Sequence, residues 1–148
     1  HSHNIQTYPG VASGSFTAPD HDFPSHLELR LTVTDSGGLS DTEILRLDPK
    51  TVDLGFKSEP AGLDLTVGQQ SGPAPFTKTV IVGSKLSLAA PTPQSLSGNW
   101  WGFSSWSDGG ARTHEIVAPA PPATYTANFK PVPGLVPGFG FGETRWWF

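Results

Sequence analysis

Short runs of strictly alternating apolar and polar residues, each cut off by Gly, Pro or Asp, constrain this chain more than any other feature. The clearest is His26 to Thr34. Leu27, Leu29, Leu31 and Val33 fall on one side of it, and His26, Glu28, Arg30 and Thr32 on the other. A period of two is the period of a pleated strand, and it predicts one buried face and one wet face. Asp35-Ser36-Gly37-Gly38 turns the chain and Glu43, Leu45 and Leu47 carry it back, so the segment is expected to be a hairpin. Pro49 has no N–H for a ladder and ends it.

The pattern then repeats. Val52, Leu54 and Phe56 alternate, Pro60-Ala61-Gly62 turns, and Leu63, Leu65 and Val67 alternate again. After a loop from Gly68 to Pro75, Phe76 to Val82 is a β-branched run, and Gly83-Ser84 leads into Leu86 and Leu88. A loop with Pro91 and Pro93 precedes the aromatic stretch Trp100 to Trp106, and Tyr125 to Phe129 is the last strand. No long helical pattern occurs. Gly (17) and Pro (15) are more than a fifth of the 148 residues, yet they sit between apolar runs, as in turn-rich β proteins rather than low-complexity chains. The expected fold class is all-β, made of antiparallel β-sandwich-type modules. Residues 1–49 form an incomplete immunoglobulin-like region, with Phe16-Thr17-Ala18 as a short strand. Residues 51–130 form a small β module, and residues 131–148 a tail.

Charge and composition exclude several classes. A net charge of -4 without Lys/Arg clusters argues against nucleic acid, whose phosphates demand concentrated positive charge. No apolar run approaches the ~18 residues that a membrane-spanning helix needs. The absence of Cys rules out disulfides and thiolate metal sites. The chain also lacks Met and begins at His1, so a preceding segment, such as a signal peptide or a larger protein, is expected.

Two stretches resemble known modules. Leu29-Arg30-Leu31-Thr32-Val33-Thr34-Asp35-Ser36-Gly37-Gly38-Leu39-Ser40 resembles the final hairpin of polycystic-kidney-disease-type (PKD) and related immunoglobulin-like modules of secreted bacterial proteins. Phe103-Ser104-Ser105-Trp106-Ser107-Asp108-Gly109-Gly110, Thr124-Tyr125-Thr126-Ala127-Asn128-Phe129 and Pro75 to Ser84 resemble β-repeat modules that follow such domains in large secreted sugar-dehydrogenase-like and carbohydrate-active proteins. The resemblance implies a secreted bacterial location and an accessory role, either binding polysaccharide or supporting sibling domains of a larger enzyme. Fold alone assigns no activity.

Three groups of residues could carry chemistry. Trp100 and Trp101 can stack on sugar faces; as neighbours in a strand they point to opposite sides, so one can be core and the other a platform. Trp106, inside the motif, reads as core. His1, His3, His21 and His26, with Asp20 and Asp22, are suitable ligands for Cu or Zn, and His1 as a mature N-terminus would resemble the histidine brace of lytic polysaccharide monooxygenases. The alternative is a solvated His-rich segment. Asp20, Asp22, Asp35 and Asp41 beside turns could serve Ca²⁺, or simply cap their own backbone. Glu28, Glu43, Glu59 and Glu115 lie on different segments, with no pair fixed by spacing, which favours a non-catalytic reading. Asp108 can meet His114 across its hairpin. The aromatic tail Pro131 to Phe148 would be an aggregation liability if exposed, and self-association through it is a further possibility.

Overall fold

The alternating runs become strands. In the computed structural model, which describes residues 1–134, all regular structure is β: there is no helix among the described residues and strands take up 51%. Residues 1–26 form no regular structure, including Phe16-Thr17-Ala18, which was expected as a strand and has no partner to pair with. Asp20 reaches the rest of the molecule by accepting a 3.2 Å bond from the Lys85 amide. Leu135 to Phe148, which hold most of the tail invoked for self-association, lie outside the described residues.

β1 (Leu27–Thr34) and β2 (Ser40–Leu47) pair antiparallel through eight rungs, from Leu27 with Leu47 to Thr34 with Ser40. Asp35 sets the turn: its Oδ1 accepts from the amides of Gly37 at 2.8 Å and Leu39 at 2.9 Å. Gly38 takes the left-handed position, φ 86°, that a side chain would disfavour. One prediction for this segment is overturned. Alternation called for a buried face, yet Leu31 and Val33 are 63% and 60% exposed. The reason is that these strands make a two-stranded sheet of their own, with no further described strand joined to it.

Residues 51–131 form two sheets over one core. β3 (Thr51–Glu59), β6 (Phe76–Ile81), β8 (Gln94–Leu96), β9 (Asn99–Trp106) and β11 (Ala123–Pro131) make a curled half-barrel in the order β6-β3-β11-β9-β8. β4 (Asp64–Val67), β5 (Gln70–Pro73), β7 (Lys85–Ala89) and β10 (Thr113–Val117) make the other sheet, in the order β10-β7-β4-β5. Pairing is antiparallel except between β3 and β11, which run parallel.

The first sheet lends Val52, Leu54, Phe56, Val80, Trp106, Ala127 and Phe129 to the core, and the second lends Leu65, Val67, Leu86, Leu88 and Ile116. Each large aliphatic or aromatic side chain so buried contributes roughly 1.5–3 kcal/mol relative to exposure. The predicted inward positions 52, 54, 56, 63, 65, 67, 86 and 88 are all buried. Polar groups close the ends. Gln94 donates to the carbonyls of Asp64 and Pro91 (2.9 and 2.7 Å) and accepts from the Asp64 amide (2.8 Å), bolting β8 to β4 across the two sheets. Ser58, 2% exposed, donates to the Pro60 carbonyl and accepts from the Leu63 amide, so no buried hydroxyl is left unpaired at that corner.

Candidate functional site

The Trp-Ser-Asp-Gly-Gly corner is built around an imidazole. Trp106 is 2% exposed and its indole N–H donates to the Arg112 carbonyl at 3.1 Å. Ser107 ties the corner to β11: its amide donates to the Thr126 carbonyl at 2.8 Å, and its hydroxyl accepts from the Thr126 amide at 2.9 Å. Asp108 Oδ1 accepts from the Gly110 amide at 2.9 Å, while Oδ2 lies 2.7 Å from His114 Nε2. His114 Nδ1 lies 2.7 Å from the Ala111 carbonyl oxygen, and the ring meets Trp106 edge-on with centroids 5.7 Å apart. Gly109 sits at φ 79°. Gly110 has a different reason to be glycine: a Cβ there would fall 2.4–2.6 Å from the His114 ring, so the imidazole lies flat on bare backbone.

Each ring nitrogen of His114 lies within hydrogen-bond distance of an oxygen acceptor, and neither faces a hydroxyl that it could activate. Burial alone would raise the Asp108 pKa, but the Gly110 amide, the His114 hydrogen bond and the His114 charge outweigh it and hold the carboxyl below the ordinary aspartate value. Tyr125 nearby shifts the other way: burial and then the Asp108 charge push its phenol up.

A pH prediction follows from the Asp108 shift. The folded-state pKa is below the unfolded one, so the contribution is complete above about pH 5 and is lost as pH falls through the unfolded and then the folded value. Asp108→Asn removes this dependence. In denaturant titrations between pH 7 and pH 2, the variant is expected to lose less stability on acidification than the wild type. Identical slopes would show that Asp108 gains nothing from its partners.

Trp100 and Trp101 behave as strand neighbours. Trp101 packs against the core, and Trp100 points to the outer face of the half-barrel. The inward parity of Trp101 and Phe103 differs from that of Trp106 because of a bulge. Ser105 pairs with Asn128 and Phe103 with Phe129, leaving Ser104 unmatched between them. Both tryptophans are half-buried, and their indole N–H groups are shielded from solvent without a hydrogen-bond partner among the described residues.

Register lays out the outer face in rows. Ser95 pairs with Trp100, Gly102 with Lys130, Ser105 and Glu59 each with Asn128, Thr126 with Lys57, and Gly55 with both Thr77 and Thr124. Asn128 Nδ2 donates to Ser105 Oγ at 3.3 Å. Gly55, Lys57, Thr77 and Thr124 line a shallow hollow of about 300 Å³ at the far end from Trp100. A Cβ on Gly55 would lie 3.1 Å from Thr124 Oγ1, so the glycine keeps this hollow open. Sequence reasoning singled out Trp100 and Trp101 without choosing between them, and missed these polar partners, because they become neighbours only through the register of β3, β6, β9 and β11.

The proposed metal ligands are placed differently. His1 and His3 stack with ring centroids 5.8 Å apart at 21°, and His3 lies 5.3 Å from His21. Stacked rings hold their lone pairs side by side rather than aimed at one point, and no metal-binding group of three or more His, Cys, Asp or Glu occurs among the described residues. His26 instead faces Glu28 at 3.6 Å and lines a hollow at the joint between hairpin and module with Phe23, Arg46 and Asp48. Of the aspartates weighed for Ca²⁺, Asp20 accepts from Lys85, Asp35 caps its own turn and Asp41 accepts from the Thr42 amide. Comparison of the chain with protein-family models, with curated proteins and with solved structures finds no match.

Proposed function

We propose that this chain is a non-catalytic carbohydrate-binding module of a secreted assembly, with the outer face of the half-barrel as its binding surface and Trp100 as the aromatic platform. Sugar rings offer flat C–H faces that pack on an indole and equatorial hydroxyls that need donors and acceptors. The observation that carries the reading is the composition of the rows: an aromatic side chain at one end, then Ser105, Asn128, Thr126, Thr124 and Thr77 along the sheet, with Lys57 and Lys130 among them. That is an apolar plate with rows of polar groups beside it on a sheet scaffold. The non-catalytic part rests on His114, whose nitrogens each lie beside an oxygen acceptor, and on the carboxylates. Glu28 and Glu43 belong to the hairpin, Glu59 to the half-barrel and Glu115 to the second sheet.

Affinity electrophoresis through gels containing xylan, soluble cellulose, chitin derivatives or alginate tests this. At least one polysaccharide is expected to retard the protein. Trp100→Ala should weaken that retardation at least tenfold, with an unchanged far-UV circular dichroism spectrum. Free migration through every gel removes the reading.

A further inference from the structure

The two faces of the β1–β2 hairpin are unequal in a way that calls for a partner. One face is polar apart from Ile44, which stands opposite Arg30 and is exposed. On it Glu28 stands opposite Arg46, Arg30 reaches Glu28 at 3.6 Å, Thr32 bonds Thr42 at 3.0 Å, and Thr34 bonds Ser40 at 2.7 Å. The other face carries, rung by rung, Leu27 with Leu47, Leu29 with Leu45, Leu31 with Glu43 and Val33 with Asp41. Five of its six apolar side chains are 37–63% exposed. They present on the order of 500 Å² of apolar surface, as much as the largest patch on a whole monomer, concentrated on two strands. A free two-stranded hairpin is marginal in water, so a covering layer would also stabilise it.

The charges decide what covers it. This face ends, toward the turn, in two carboxylates, Asp41 and Glu43, and none of its eight rung residues is a cation. A second copy laid face to face with turns together would set carboxylates against carboxylates. Laid with turns opposed, it would press them onto Leu27 and Leu47. Both arrangements desolvate charge without pairing it. We infer that the occupant is the apolar face of a different β-sheet, one that carries Lys or Arg opposite Asp41 and Glu43. Packed about 10 Å away, such a sheet covers the leucines and pairs both carboxylates. This surface is separate from the outer face of the half-barrel and does not depend on the carbohydrate reading.

A charge-reversed copy of the chain supplies that chemistry as a probe. The experiment is sedimentation velocity on the wild type, on the Asp41→Lys/Glu43→Lys variant, and on their equimolar mixture. Each alone is expected to stay monomeric. The mixture is expected to form a 1:1 complex at least about tenfold tighter than either self-association. The complex should weaken with added salt and vanish when both chains carry Leu29→Thr and Leu31→Thr. An Arg version of the double variant repeats the test should the Lys version misfold, with Trp fluorescence reporting on the module. Equal self-association by the wild type would overturn the inference in favour of a second copy, and a mixture that stays monomeric would overturn it outright.

Discussion

Trp106→Ala is expected to lower the stability of the module by about 3–5 kcal/mol, the range seen when a large buried aromatic is truncated. Trp106 is where three supports meet. Its ring is in the core, it lies 6.3 Å from Phe103 between centroids, and its edge-on contact backs the His114 ring. Its indole N–H also donates to the Arg112 carbonyl, so the variant leaves a cavity and takes one of that carbonyl's two hydrogen bonds, the other coming from the Ala90 amide at 3.2 Å. Thermal unfolding followed by near-UV circular dichroism would show this as a midpoint more than 10 °C lower, since 1 kcal/mol is worth roughly 4–8 °C in a domain of this size. Trp106→Phe should recover part of the packing but not the hydrogen bond. A loss of under 1 kcal/mol in the alanine variant would mean that the corner is not part of the cooperative core.

Gly110→Ala is the second large effect, and it should be rescued by a change four residues away. The added methyl would stand 2.4 Å from His114 Nε2, with Cδ2 and Cε1 nearly as close. Either the ring leaves Asp108 or the turn opens, and overpacking of this kind costs about 1–3 kcal/mol. His114→Ala alone removes the bonds to Asp108 and the Ala111 carbonyl at its own cost. In the double variant the methyl meets no ring. The two losses should therefore be strongly non-additive, with Gly110→Ala costing much less in the His114→Ala background than in the wild type. Chemical denaturation of the four proteins gives the coupling. Additive losses would show that Gly110 is required for some reason other than the imidazole.

Much of this architecture was legible in the sequence because period-two runs and turn residues are local signals. The inward faces of Val52 to Phe56, Leu63 to Val67 and Leu86 to Leu88 were legible from alternation alone. What stayed hidden was non-local. The burial of a strand face depends on another layer arriving, and nothing in His26 to Thr34 could reveal that no described strand covers Leu29 or Leu31. The parallel pairing of β3 with β11 joins segments about seventy residues apart that carry no mark of direction. The candidate site divides in the same way. The opposed faces of Trp100 and Trp101 follow from strand geometry, whereas the row of Asn128, Ser105 and Glu59 exists only through register. The Asp-Gly-Gly spacing announced a turn, but the reason for its second glycine lay in the ring of His114.

The position of β11 between β3 and β9 also bears on how the molecule is made. A chain leaving the ribosome presents β3 first and β11 last of the strands in this sheet. Until Ala123 to Pro131 have emerged, β3 and β9 are open edges with nothing between them. Each is a template on which a second nascent chain could add a strand. The half-barrel cannot zip up progressively; it must wait, with its inward aromatics unburied, for one late insertion that closes two ladders at once. Such long-range closure is slow. The short loops and the many prolines between strands would therefore matter most before folding is complete, by making the waiting chain a poor partner for its neighbours.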